Sequence, residues 1–473
     1  MFGLETDIFL LLSFALLAAC AFEFINGFHD TANAVATVIY TNSLKPTQAV
    51  VWSGLMNFAG VITGGVGVGM SIVNLLPVEL LIDSNVYHSI AMVLALLFSA
   101  IIWNFGTWYF GLPSSSSHTL IGAILGVGLG YALLPDNKMG IAAINWDKAQ
   151  SVFSGLLMAP LIGFSLAIIL MFVLRRFLNK KTRDEVFSEP KKNTPPPMWI
   201  RGILVLTCTL VSFFHGRNDG QKGIGLRMLI LIGVLPAYFA VNTNIKLSEM
   251  KPDLEKIETI VTKIDTTGLS KLDNERIAKV VANIKDLKPL ADSSDKANTK
   301  ISLSVRKSIL LISNNIKKLI EDEQIPLSAE DKAILKKAAT KEEIGLRQFT
   351  DYAPFWVVLL ISLSLGLGTM IGWKRIVVTV GEKIGKSHLN YAQGASAELV
   401  AAATIGMASV WKLPVSTTHT LSSGIAGAMV ASKGVKNLQA KTITNIVIAW
   451  VLTLPVSIIL SATLFIFFRW IVG

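Results

Sequence analysis

Long uninterrupted apolar runs recur along most of this chain, and they restrict its fold more than any other feature. They include residues 8–25, 49–73, 91–110, 120–134, 152–174, 203–214, 354–373, 399–410 and 443–472. About 20 apolar residues in a helix cross the hydrocarbon core of a bilayer, and a helix satisfies its own backbone there. Several runs fall short of a full span, which predicts broken or re-entrant helices. Of the 473 residues 52% are hydrophobic and 16% charged, too apolar for a soluble protein of this length. The expected class is an all-α polytopic membrane protein, and nothing in the pattern suggests a β-barrel.

The two cysteines, Cys20 and Cys208, lie within apolar segments, so neither a disulfide framework nor a cysteine metal site is predicted. Residues 17–20, LAAC, resemble a lipoprotein cleavage box. The stretch before them carries Glu5 and Asp7, whereas an export signal starts positive. Residues 1–27 therefore read as a retained first span.

Charge is concentrated in one place. The chain carries a net +11, yet residues 243–350 hold 20 of its 43 Lys/Arg and 17 of its 32 Asp/Glu. This stretch has one aromatic residue, Phe349, and apolar residues at helical spacing: Ile301, Val305, Ile309, Ile312, Ile316 and Leu319. Ser328 with Asp331 marks a helix start. A soluble insert of three or four amphipathic helices is expected. Its mixed charge predicts a solvated surface, not a nucleic-acid partner.

Setting the insert aside exposes a repeat. NGFHDTANA (residues 26–34) and HGRNDGQKG (215–223) share a motif, and so do LPSSSSHTL (112–120) and LPVSTTHTL (413–421). Asp30 precedes Ser115 by 85 residues; Asp219 precedes Ser416 by 197, or 89 without the 108-residue insert. Two motifs in the same order at nearly the same separation argue for a duplicated unit. Cytoplasmic loops collect Lys and Arg. Residues 175–201 hold eight basic residues against three acidic, and 374–391 hold four against one. With both inside, each half makes an odd number of crossings, the second half is inverted relative to the first, and the insert lies outside. Inverted repeats with a site at their interface are a transporter architecture. The expected divisions are a first membrane repeat at 1–178, a basic cytoplasmic linker at 179–200, the second repeat at 201–242 and 351–473, and the insert at 243–350.

Leu-Pro followed by Ser/Thr predicts a helix start, with Pro in the first turn and a hydroxyl capping free amides. Such a start inside a membrane suits an anion. Ser115, Ser116, Ser117, Ser416, Thr417 and Thr418 would surround a tetrahedral oxyanion with hydroxyls and no tightly binding Arg. The competing reading is that the hydroxyls bond backbone carbonyls; their occurrence in both halves favours a ligand. Asp30, Asp219 and Glu398 are intramembrane carboxylates, a class that handles protons or cations. A surface position is the competing reading for Glu398. Lys222 either neutralises Asp219 or the anion, or snorkels from a helix end. His118 and His419 either shuttle protons or bond within the helix starts.

These residues bring out a resemblance. The two Asp motifs and the paired LPxS[ST][ST]H stretches resemble the PiT family of inorganic phosphate transporters. GTWYFGLPSSSSHTLIGA, NDGQKGIG and GTMIGW are especially similar to low-affinity phosphate transporters of Gram-negative bacteria. The resemblance implies a homodimer in the bacterial cytoplasmic membrane, with phosphate on the hydroxyl rows and Asn33, and the coupling cation at Asp30 and Asp219. Sodium-coupled members have Asn where this chain has Lys222, and Glu where it has Asn57. Those departures predict proton symport, with Glu398 and Lys222 in the coupling set. The resemblance to the bacterial members also implies phosphate carried as a neutral complex with a divalent metal of unknown identity, and no resident cofactor. A sulfate permease is the rival within transport. An intramembrane Ser hydrolase is the rival outside it, though no Gly-x-Ser-x-Gly elbow occurs.

Overall fold

The computed structural model describes residues 4–73, 76, 85–134, 146–191, 194–292, 298–340, 344–411 and 415–472, and these are helical wherever they are regular. Two compact units emerge: residues 1–77, 90–227 and 355–473 in one, and 78–89 with 228–354 in the other.

In the first unit, helix α1 (Thr6–Asp30) is followed by α2 (Ala32–Tyr40), α3 (Pro46–Gly64) and α4 (Gly67–Val73). Then come α5 (Val86–Tyr109), α6 (Ser116–Ala132), α7 (Trp146–Phe177) and the 37-residue α8 (Met198–Val234), of which residues 86–89 and 228–234 belong to the second unit. Five described helical segments are long and apolar enough to cross a membrane, or up to six when a bent pair counts as one. The run at 203–214 is one piece of α8, whose polar centre, His215 to Lys222, divides it in the sequence. The runs at 120–134 and 399–410 belong to helices that fall short of that test.

The second unit contains α9 (Lys251–Val261), α10 (Lys271–Ala291), α11 (Thr299–Glu321) and a short helix at Ala329–Leu335. The periodic residues of α11 bury Val305, Ile309, Ile312, Ile316 and Leu319 against Leu254, Ile257, Val280 and Ile284. Ser328 caps the short helix, accepting the Asp331 amide at 3.0 Å. Arg306 is fully buried and donates to the Thr350 and Ala240 carbonyls at 3.0 and 3.3 Å. Burial pushes its guanidinium down to about 10.

The first unit resumes with α12 (Phe355–Met370), α13 (Lys374–Val378), α14 (Tyr391–Val410), α15 (Thr417–Lys433) and α16 (Ala440–Val472). Helix pairing is reciprocal between the two halves. α1 packs on α12 while α3 packs on α8; α6 packs on α16 while α15 packs on α7. The first two contacts run backbone to backbone. A Cβ on Gly27 would lie 2.4 Å from the Leu365 carbonyl oxygen, and one on Gly60 would lie 2.1 Å from that of Phe213. Only glycine permits such approach.

Helices α6 and α15 start alike. Ser115 accepts the His118 amide at 3.2 Å, and Ser416 accepts the His419 amide at 3.1 Å. Pro113 stands two residues before its cap, outside the first turn where the sequence placed it. The corresponding Pro414 lies outside the described residues.

Candidate oxyanion and cation site

Five helix segments bring the two motif pairs together in the buried interior of the first unit. The end of α1 supplies Asp30, the start of α2 supplies Asn33, and the middle of α8 supplies His215, Asp219 and Lys222. The first turns of α6 and α15 supply the hydroxyl rows. Thr31, between α1 and α2, keeps helical dihedrals and donates back to the Gly27 carbonyl at 2.6 Å and across to that of Thr369 at 3.0 Å, so the two helices run on as one segment, Thr6–Tyr40, with Asp30 inside it.

Both Asp30 oxygens take a hydroxyl, one from each half. Ser116 donates to Oδ2 at 2.9 Å and Thr418 to Oδ1 at 2.6 Å. Asp219 Oδ1 is held by Lys222 Nζ at 2.7 Å, and Oδ2 lies 3.4 Å from the Ser116 hydroxyl. Lys222 also donates to Ser117 at 2.5 Å. Its counterpart, three residues after the first motif's Asp, is Asn33, which donates to Thr418 at 3.0 Å. Each i+3 residue thus reaches the other half's hydroxyl row at the same position of the row. Lys222 is 2% exposed in mid-helix, which overturns the snorkelling alternative.

The remaining hydroxyls divide their roles. Ser115 and Ser416 cap their helices, Ser117 donates to the Val415 carbonyl at 3.0 Å, and Thr417 lies 3.4 Å from Asn33 Nδ2. Part of the backbone-bonding reading therefore holds for Ser117. The rings of His118 and His419 stack on each other at 4.5 Å, and His419 stacks on Trp450 at 4.1 Å. Their main-chain amides, not their rings, serve the helix starts.

Glu398 is fully buried, against the surface alternative. It accepts Thr207 at 2.5 Å and is bonded by Thr37 within the apolar core. No hydrogen bond among the described residues joins it directly to Asp30 or Asp219.

Three residues were not singled out from sequence. His215 Nε2 lies 3.6 Å from both Asp30 Oδ2 and Asp219 Oδ2, and the three side chains offer ligand atoms within 4.8 Å of one another. Asn57 positions it. Asn57 Nδ2 donates to Thr369 at 2.9 Å, which leaves Oδ1 as the acceptor for His215 Nδ1 at 3.0 Å. His29 bridges Asp30 Oδ1, at 3.3 Å, to Thr107, at 3.1 Å. Glu23, about two turns before Asp30 on α1, is fully buried, bonded by Asn26 at 3.3 Å, and packed where a Gly223 Cβ would stand 2.4 Å away. The available signal for His215 was its i−4 spacing from Asp219; for Glu23 it was a lone acid inside an apolar run.

The model of the phosphate transporter family matches residues 26–461. The chain belongs to that family. It is 42% identical to the low-affinity inorganic phosphate transporter PitA of Escherichia coli strain K12, over 98% of this chain and 97% of the relative. It is 44% identical to the low-affinity inorganic phosphate transporter of Buchnera aphidicola subsp. Schizaphis graminum, over 99% and 97%. A solved structure of a sodium-dependent phosphate transporter shares the fold, with a TM-score of 0.55 at 20% identity over 98% of this chain and 99% of that one. This family member is a multi-pass helical membrane protein and not an enzyme, so the hydrolase reading falls away.

Proposed function

We propose that this chain is a symporter that imports inorganic phosphate across the bacterial cytoplasmic membrane, coupled to protons, with phosphate carried as a neutral complex with a divalent metal. The observation that carries the cation part is the orientation of His215. Because Nδ1 must donate to Asn57, a neutral ring turns its Nε2 lone pair toward two carboxylates 3.6 Å away, and among the described residues no side chain comes within 3.5 Å as a hydrogen-bond partner. A lone pair facing two anions is unfavourable unless a cation stands between them, either a proton on Nε2 or a metal ion. The donor set, one imidazole and two carboxylates, suits a borderline to hard divalent ion, and the Asn57 bond is the outer support such a histidine needs.

Charge balance supports the same reading. Asp30, Asp219 and Lys222 sum to −1 with His215 neutral, which would repel a phosphate dianion in a low-dielectric site. A divalent cation reverses that sign. The hydroxyls of Ser116 and Thr418, now turned to Asp30, then become free to rotate toward the anion, joined by Ser115, Ser117, Ser416, Thr417 and the Asn33 amide. Glu398, held by two threonines in an apolar surround, is the second proton-binding candidate.

The reciprocal pairing of α1 with α12 and α8 with α3 supports two repeats of inverted topology, at 1–178 and at 201–242 with 351–473. The 179–200 linker is then cytoplasmic, the soluble insert at 243–350 periplasmic, and the assembly a homodimer.

The test is radiolabelled phosphate uptake into proteoliposomes under a proton gradient, a sodium gradient or neither, with and without magnesium or manganese, and with excess sulfate. Proton-driven, metal-stimulated uptake that ignores sulfate is expected. Sodium-driven uptake insensitive to the proton gradient would overturn the coupling assignment, and sulfate competition would overturn the choice of anion.

A further inference from the structure

Away from the carboxylates, the α12–α13 break and the end of α5 enclose an open cavity of about 630 Å³. Its lining includes Lys374, Arg375 and Lys383, with no acidic residue among the described lining residues. Arg375 is fixed in place. Its guanidinium lies 5.1 Å from the Trp108 ring centre and 4.7 Å from that of Tyr109, and Nη1 donates to the Tyr109 carbonyl at 2.7 Å. Lys374 and Lys383 are exposed. Beside this basic lining stand Phe110 and Tyr109, 75% and 54% exposed, and Ile371 at 55%. Fixed and mobile cations edged by exposed aromatic and aliphatic groups are the composition that meets phosphate-bearing headgroups at a membrane surface.

The cavity also touches two glycine turns next to the carboxylate site. Gly111, which leads into the first hydroxyl row, and Gly372, at the α12–α13 break, both have positive φ (+67° and +73°). Thr379 donates to the Gly111 carbonyl at 2.8 Å, and Trp108 Nε1 donates to that of Gly372 at 2.7 Å. The Trp108 ring packs 4.8 Å from Phe28, two residues from Asp30.

We propose that this cavity is a second oxyanion site, distinct from the carboxylate cluster, that holds a phosphate group carried by an anionic lipid or free in solution. An occupant neutralises three clustered cations and braces the two glycine turns. A lipid source places its acyl chains along Phe110 and Ile371.

The experiment uses the full-length protein and two probes. Native mass spectrometry counts phosphatidylglycerol retained after extraction from vesicles of phosphatidylcholine and phosphatidylglycerol. Equilibrium binding of radiolabelled inorganic phosphate is counted in phosphatidylcholine alone. The variants are Arg375→Gln, Lys383→Gln and, as a control on an exposed lysine outside the cavity, Lys433→Gln. Lys383 is exposed, so its replacement keeps the test open should Arg375→Gln fail to fold. About fivefold weaker lipid retention in the cavity variants but not in Lys433→Gln identifies a lipid source. Unchanged lipid retention with phosphate stoichiometry falling from two per chain to one identifies the free ion. The proposal is overturned if neither probe responds, or if Lys433→Gln matches Lys383→Gln.

Discussion

Lys222 is the residue whose replacement tests the site most sharply. Its ammonium spans Asp219 at 2.7 Å and Ser117 at 2.5 Å, with both partners buried. Replacing it with Met keeps the length and removes the charge, which leaves Asp219 with only His215 at 3.6 Å and the Ser116 hydroxyl at 3.4 Å. Stripping one member from a buried ion pair costs about 3–5 kcal/mol. That cost falls on the fold, and at about 1.4 kcal/mol per tenfold it is roughly two to three and a half orders of magnitude in the folding equilibrium, so Lys222→Met should melt well below the parent. The site's net charge also moves from −1 to −2, which opposes anion entry in the same direction. Phosphate uptake per folded protein should therefore also fall in Lys222→Met proteoliposomes, by roughly tenfold or more. Lys222→Asn is the informative companion. It reproduces the Asn33 arrangement of the other half and leaves Asp219 open to an external cation, so its uptake should respond to sodium. Folded yield is checked by size exclusion in detergent. If Lys222→Met transports within threefold of the parent, or Lys222→Asn keeps full proton-driven uptake and ignores sodium, Lys222 is not the fixed counter-ion.

Thr418→Val removes a hydroxyl bonded to a carboxylate, an interaction of about 1.5–3 kcal/mol, so phosphate affinity should drop at least about tenfold while Thr418→Ser recovers it; equal affinities for the two variants in a binding assay would refute the hydroxyl's role. Glu398→Gln should retain phosphate counterflow at equilibrium yet lose accumulation driven by a proton gradient, and accumulation at the parental ratio would remove Glu398 from coupling. Gly223→Ala drives a methyl into the Glu23 carboxylate at 2.4 Å and should cost about 1–3 kcal/mol of stability. Adding Glu23→Ala should relieve that clash, so the double variant melts above Gly223→Ala alone; strictly additive losses in thermal melts would show that the two residues do not compete for space.

The duplicated motifs were legible because duplication turns a weak pattern into a strong one. Asp30, Asp219, Ser116 and Thr418 all lie in two short motifs that recur in the same order, and the fold brings all four together. Lys222 was legible only as an alternative, since hydropathy does not distinguish a lysine at a helix end from one in mid-helix. Glu23 was hidden by averaging: one carboxylate within the 8–25 run barely lowers its apolarity, and its significance lies in the missing side chain of Gly223 on another helix. His215 and Asn57 acquire their roles only through the packing of α8 on α3, which spacing along the chain does not encode.

The glycine seams carry a consequence for how the molecule is made. Helix α1 leaves the ribosome first, yet the backbone it must meet at Gly27 belongs to α12, more than 300 residues later. At about 5–20 residues per second, that interval is on the order of 15–60 s. Throughout it the Gly27 groove faces lipid, and Asp30 lacks the hydroxyl of Thr418. The first half must therefore persist in the bilayer as an unfinished surface. A nascent chain arrested before α12 presents a bare carboxylate and an open backbone groove, features that membrane quality control can read as incomplete synthesis.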